Sequence, residues 1–379
     1  MTPEDPFRVV IAGGGVAALE AALALRELAG ERVSLQLLAP DPMFTYRPVT
    51  VAEPFGHAPA GRYPLADIAG DIGADLITDG LRRVEPERQI AYTEEGAELP
   101  YDALLIAVGA LMRPPFRHAL TIDDRRMDEL LRGVVQDVEG GYVRRLAFIA
   151  PAGMAWPLPL YELALMTARR AYESNEQVAI TIVTPEDRPL ALFGEQVGRS
   201  VAKLLQEAGI ATITSAWVQV PASGKVVIHP SNRRLDVDRI IALPQLFGPA
   251  LSGLPRAEHG FIPVDVHGQV RGVPRVYAAG DATDFAVKYG GVAAQQADAA
   301  AETIAALAGA PVTPTPFHPE LHGILLTGGR PLFMSARITG GHGFDSQIAD
   351  EPTWEPAAKI ASRYLAPYLH RLDCESALV

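Results

Sequence analysis

The chain has 379 residues and a formal net charge of −12. Its basic side chains are mostly arginine, and its lysines are Lys203, Lys225, Lys288 and Lys359. That length implies two or three domains with ample core, and the acidic balance excludes nucleic acid and a polybasic membrane patch as partners. Cys374 is the single cysteine, which excludes an intramolecular disulfide and a redox-active dithiol within this sequence.

Met1–Pro6 is short, polar and acidic, unlike a secretory signal, and no apolar run is long enough to span a bilayer. The expectation is a soluble, cytoplasmic protein without a transmembrane segment.

In chain order, Arg8–Ala12 reads as an apolar strand that runs into Gly13-Gly14-Gly15 and then a helix, Val16–Ala29. In such a strand–glycine–helix turn Gly13 permits the sharp bend and Gly15 lets backbone approach a pyrophosphate. Ala18 stands where a third glycine often sits and still allows close helix–strand packing. Val16 and Ala17 open the helix, whose positive end and free N–H groups face the phosphates. Val33–Leu38 is the second strand and Asp102–Val108 a buried one ending at Gly109. Arg113-Pro114-Pro115 marks a break.

The unit then repeats, with strand Leu146–Ala150, helix Tyr161–Tyr172, strand Val178–Thr184 and helix Glu195–Glu207. Short strands follow near Trp217–Val220 and Val226–His229, and Arg239–Leu243 closes the unit. Gly248–Pro255 is linker-like, Val276-Tyr277-Ala278-Ala279-Gly280-Asp281 is a strand ending in Gly-Asp, and Val292–Leu307 is a long helix. Pro311–Pro319 leads into a small C-terminal piece. Alternating strands and helices predict an α/β fold with parallel sheets.

Four ordered motifs, Gly13-Gly14-Gly15, Tyr101–Ala110, Thr184-Pro185-Glu186 with Phe193-Gly194-Glu195, and Tyr277–Asp281, resemble the pyridine nucleotide-disulfide oxidoreductase superfamily. Within it the chain is similar to the branch of sulfide:quinone oxidoreductases and type II NADH dehydrogenases. The resemblance covers most of residues 8–310. It implies two Rossmann-like domains, the second inserted in the first, plus a small C-terminal domain. The boundaries are 1–114 with 248–310 for an FAD-binding domain, 115–247 for an NAD(P)-binding-like domain, and 311–379 for the rest.

By that resemblance Asp281, after Gly280, accepts hydrogen bonds from the ribityl chain of FAD. The helix opened by Gly290-Gly291-Val292 aims its N-terminus at the flavin pyrimidine edge. Lys288 either adds positive charge there or sits in solvent. Tyr46 and Arg47, in Phe44-Thr45-Tyr46-Arg47-Pro48, are candidates to line the cofactor, whereas Phe44 is explained equally by core packing. Relatives end the second strand with an acidic residue for the adenosine ribose. Here Leu38-Ala39-Pro40 stands there, which leaves Asp41 or backbone to serve.

The middle unit departs from the family. Pro151–Glu162 follows its first strand with one glycine, Gly153, prolines at 151, 157 and 159, and Trp156. Prolines remove N–H donors a pyrophosphate needs and Trp156 blocks close backbone approach, so the expected cofactor is FAD, and NAD(P)H bound in the usual way is not expected. Trp156 takes the place of a redox cysteine that the sulfide:quinone branch carries before its Pro-x-Tyr-Glu segment. Gln295, in Ala294-Gln295-Gln296-Ala297, touches an acceptor or is a polar surface residue. Lys359–Leu369 is a short amphipathic stretch broken by proline, expected to pack on the flavin domain or to form a homodimer contact. His318 and His322, spaced i and i+4, lack the further ligands of a metal site.

The expected function is FAD-dependent electron transfer between a donor and an acceptor such as a quinone or small molecule, with no redox disulfide and no catalytic side chain. The alternatives are an NAD(P)H-dependent flavoprotein reductase and a non-enzymatic flavin-binding redox sensor.

Overall fold

A computed structural model describes residues 6–339 and 343–376; Met1–Asp5, most of the segment with no signal character, lie outside them. Two parallel five-stranded sheets organise the chain. In the first the order is Val276–Ala278, Ala103–Ile106, Phe7–Ala12, Val33–Leu38 and Ala74–Ile77. In the second it is Leu120–Thr121, Arg239–Ala242, Arg145–Ile149, Ala179–Val183 and Ala211–Ile213. The first sheet takes its edge strand from the far side of the second. Leu111–Arg113 and Gln245–Phe247 pair antiparallel where the chain leaves the first sheet and returns.

The helices are α1 (Val16–Ala29), α2 (Leu65–Ile72), α3 (Met127–Glu139), α4 (Leu158–Glu173), α5 (Glu195–Glu207), α6 (Gly290–Leu307) and α7 (Leu365–Ser376). Central strands such as Val9–Ala12 and Leu104–Ile106 are buried on both faces, which is why they read as unbroken apolar runs. α1 and α6 pack together through small residues, among them Ala17, Ala21, Ala24, Ala293, Ala297 and Ala300. Alanine at these contacts lets two helix axes approach closely, so both N-termini arrive at the same end of the first sheet.

Several expected boundaries shift for local reasons. α4 begins at Leu158 rather than Tyr161, because Pro157 and Pro159 fall in the first turn, where no N–H is needed. α6 begins at Gly290, so both glycines belong to its first turn. The stretch expected over Lys359–Leu369 is an irregular strap up to Tyr364; the helix starts at Leu365 and runs on to Ser376, with Pro367 in its first turn. Two antiparallel units have no counterpart in the sequence pattern: a three-stranded meander over Leu81–Pro100 and a sheet of Glu320–Leu325, Leu332–Thr339 and Gly343–Ala349.

The strap ties the pieces together. Leu365, Tyr368 and Leu369 join the core shared by α1 and α6. Glu20, buried in the alanine-rich α1, accepts the backbone N–H groups of Arg363, Tyr364 and Leu365 at 2.7, 2.8 and 2.6 Å. A carboxylate at that position also satisfies the free donors of the α7 N-terminus. Lys359 is buried against Glu162 of α4 at 2.7 Å and donates to the carbonyl of Pro48 at 3.0 Å. No helix among the described residues is long and apolar enough to cross a membrane.

Candidate functional site

The site forms where the C-terminal ends of the first sheet meet the starts of α1 and α6, the usual ligand position in such sheets. Gly13 has φ +136°, and a Cβ there would collide with the carbonyl of Ala107. Gly15 behaves differently: a Cβ on it would meet nothing within 4 Å, so it faces open space. Neither α1 nor α6 has a side-chain cap or an acidic residue in its first turn. Two uncapped helix N-termini that meet at the Gly280 turn, beside the open space at Gly15, suit an anionic, elongated ligand such as a dinucleotide.

Gly280 has φ +75°, and a Cβ added there would lie 3.2 Å from those of both Ala17 and Ala293. The turn that carries Asp281 is therefore clamped between α1 and α6. Asp281 is half-buried. Loss of hydration raises its pKa, against the nearby charges of Lys288 and Arg47.

Lys288 is 7% exposed, which removes the solvent alternative. Its ammonium group donates to the carbonyl of Thr283 and lies 4.1 Å from the centre of the Phe261 ring. Burial lowers its pKa to about 8, with Asp281 and Asp284 pulling the other way. Asp281 and Lys288 thus share one electrostatic neighbourhood, which also includes Arg47 and Asp124. Arg47 lies 3.9 Å from Asp124, a residue not singled out in the sequence, whose Oδ1 is buried without a hydrogen-bond partner.

The remaining candidates divide. Val16, Ala17 and Ala18 form the first turn of α1, with Ala17 and Ala18 buried. Gly14 packs against Leu65 and Ala39, beside Pro40. Asp41 accepts the N–H of Met43 at 3.0 Å, so part of its acceptor capacity is used locally. Gly109, at φ +76°, lies three residues past the strand expected to end at it, which stops at Ile106. The hydroxyl of Tyr46 accepts the N–H of Ile360 at 2.8 Å, so it holds the strap, and burial pushes its pKa up to about 12. Ile360 in turn lies against Gly290, while Gly291 and Val292 complete the first turn of α6. Phe44 is core, stacked on Tyr63.

Gln295, expected either to touch an acceptor or to be a polar residue at the helix surface, is half-buried. Its amide clasps the backbone of Glu320, donating to the carbonyl at 2.8 Å and accepting from the N–H at 2.9 Å. His322 lies in the strand Glu320–Leu325 and His318 before it, so they share no helix face. Among the described residues no group of three or more metal-binding side chains occurs.

In the second sheet the position equivalent to the α1 turn is filled. Trp156 stacks on Tyr289 with centroids 4.2 Å apart. Glu186, the acid past the second strand, has both oxygens engaged: the Tyr161 hydroxyl donates at 2.6 Å, Thr184 Oγ1 lies at 3.1 Å, and Ala191 N–H donates at 3.1 Å. Three of the acceptor positions that a ribose would compete for are thus taken within the protein.

The family model for pyridine nucleotide-disulphide oxidoreductases matches residues 161–302. An NADH dehydrogenase-like protein of Mycobacterium tuberculosis is 26% identical over 295 residues, 72% of each chain. The sulfide:quinone oxidoreductase of Aquifex aeolicus, 19% identical, superposes with a TM-score of 0.80 over 91% of this chain and 87% of that one. A ferredoxin reductase of Rhodopseudomonas palustris, 20% identical, gives 0.68 over 89% and 83%. The chain has the pyridine nucleotide-disulphide oxidoreductase fold and carries that family's sequence signature across residues 161–302.

Proposed function

We propose that this chain is an FAD-dependent oxidoreductase that passes electrons between a donor and an acceptor such as a quinone, with no redox disulfide. The observation that carries the proposal is the Gly280-Asp281 turn clamped between α1 and α6, beside two uncapped helix N-termini and the open face of Gly15. In this assignment Gly13–Ala18 hold the diphosphate, Asp281 holds the ribityl hydroxyls, and Lys288 with the α6 N-terminus faces the pyrimidine edge. Residues 1–114 and 248–310 then form the flavin domain, 115–247 the inserted one and 311–379 the third. Bound flavin supplies the redox chemistry. The protein's own residues orient it, keep water from the Lys288 side and set the local charge.

A second proposal, NAD(P)H as donor, draws on the NADH dehydrogenase-like relative. The engaged Glu186 and the prolines of the loop weigh against nicotinamide in the usual groove. The test of the main proposal is Asp281→Ala. It removes a charge-assisted acceptor worth about 1.5–3 kcal/mol, so the yellow FAD complex should bleach on dialysis. Full flavin retention by the variant would refute the assignment.

A further inference from the structure

Gln296 sits on the face of α6 that packs inward, 4% exposed among Val292, Ala293, Ala297 and Ala300. A buried amide in an alanine-lined contact is costly unless its polar atoms are used. Its neighbour Gln295 turns the other way, to the backbone of Glu320. The Oε1 of Gln296 accepts the N–H of Gly280 at 2.8 Å and lies 3.3 Å from Thr283 Oγ1. Thr283 Oγ1 is also 2.9 Å from the carbonyl of Gly280, and the carbonyl of Thr283 accepts from Lys288.

We infer that Gln296 is a positioning residue of the flavin site, one side-chain oxygen fixing both the turn that presents Asp281 and the loop that anchors Lys288. The inference rests on the FAD proposal above. Its physical basis is that Gly280 has left the strand ladder, so its N–H needs an acceptor from elsewhere. The clamp of Ala17 and Ala293 leaves the turn little room to find another. An amide suits the task better than a carboxylate. It accepts the N–H without placing a second negative charge beside Asp281, whose ionisation burial already opposes.

The test compares Gln296→Leu and Gln296→Glu with the wild type. The readouts are FAD binding by quenching of flavin fluorescence, the flavin midpoint potential, and thermal melting of the flavin-free proteins. Gln296→Leu should weaken FAD binding by about tenfold or more, since it strands a buried N–H. It should also lower the potential, because the Lys288 anchor loosens. Gln296→Glu restores an acceptor oxygen and should recover most of the affinity, with a potential below wild type from the added negative charge. Wild-type affinity in Gln296→Leu overturns the inference. So does equal loss of affinity in both variants, which would make position 296 a matter of packing alone. Should Gln296→Leu fail to fold, Gln296→Glu decides by itself: recovered binding with a lowered potential supports the inference, and an unchanged potential overturns it. A wild-type protein with no affinity for FAD refutes the functional proposal instead, and the inference with it.

Discussion

The indole of Trp156 lies face to face on the ring of Tyr289, centroids 4.2 Å apart and planes 8° from parallel. Phe193 closes the cluster at 5.7 Å from Trp156. Tyr289 immediately precedes α6, and its hydroxyl is tied to the backbone of Glu320 and His322. The loop that a dinucleotide-binding unit would leave open is instead packed, through Trp156, against the N-terminus of α6 and the C-terminal sheet.

That packing predicts the response to nicotinamides. NADH and NADPH should reduce the bound flavin slowly, without saturation. Pro151, Pro157 and Pro159 offer no N–H, and Glu186 is held by Tyr161, Thr184 and Ala191. Anaerobic stopped-flow mixing measures this directly. Saturable millisecond bleaching by either nucleotide would establish the second proposal, NAD(P)H as donor.

Lys288 sets the second prediction. Electron uptake by a flavin places negative charge at its pyrimidine edge, which a nearby cation stabilises. Lys288→Met should therefore lower the midpoint potential by about 30 mV or more, where 30 mV corresponds to about 1.4 kcal/mol for a two-electron couple. With a pKa lowered to about 8, the wild-type lysine loses its charge as pH rises past that value. The gap between wild type and variant should then narrow. Spectroelectrochemical titration at pH 7 and 9 checks both points; an unchanged potential at pH 7 places Lys288 away from the flavin.

Much of this site is legible in the amino-acid sequence, and the reasons differ by residue. The extents of α1 and α5 follow from glycine turns and apolar spacing. The Gly-Asp turn is legible because its strand is an unbroken apolar run. The burial of Lys288 is not, since it depends on Phe261, distant in sequence. The sheet after Pro319 escapes because His322 and Gly323 break its apolar alternation and Phe193 fills the space beside Gly323. Glu20 and Glu162 look like ordinary helix residues. Their roles emerge only when the strap from Lys359 to Leu365 folds back over them.

The strap supplies the third prediction. Lys359 and Glu162 are 7% and 1% exposed, and Glu162 also accepts the N–H of Leu326 at 2.9 Å. Removing one member of a buried pair leaves an uncompensated charge, costing about 3–5 kcal/mol. Lys359→Met should thus destabilise strongly, and Lys359→Met with Glu162→Gln should recover a substantial part. Urea denaturation of the two variants tests this. A double variant no more stable than the single one would show that the pair acts through packing rather than charge.

The last prediction concerns pH. Asp298 of α6 is in hydrogen-bonding contact with Glu20, the carboxylate that holds the start of α7. Burial first and then Glu20, with Glu302 adding to it and Arg363 opposing, push the Asp298 pKa up to about 8. A carboxyl whose folded pKa lies above its unfolded value, near 4, binds its proton more tightly in the folded state. Its contribution is therefore complete below about pH 4 and is lost as pH rises through about 8, where two negative charges come to face each other under the strap. Asp298→Asn keeps a neutral donor toward Glu20 at every pH. Between pH 6 and 9 the wild-type melting temperature should fall by on the order of 2 °C more than that of Asp298→Asn. Parallel pH profiles for the two proteins would mean that the carboxyl–carboxylate contact does not govern the attachment of α7.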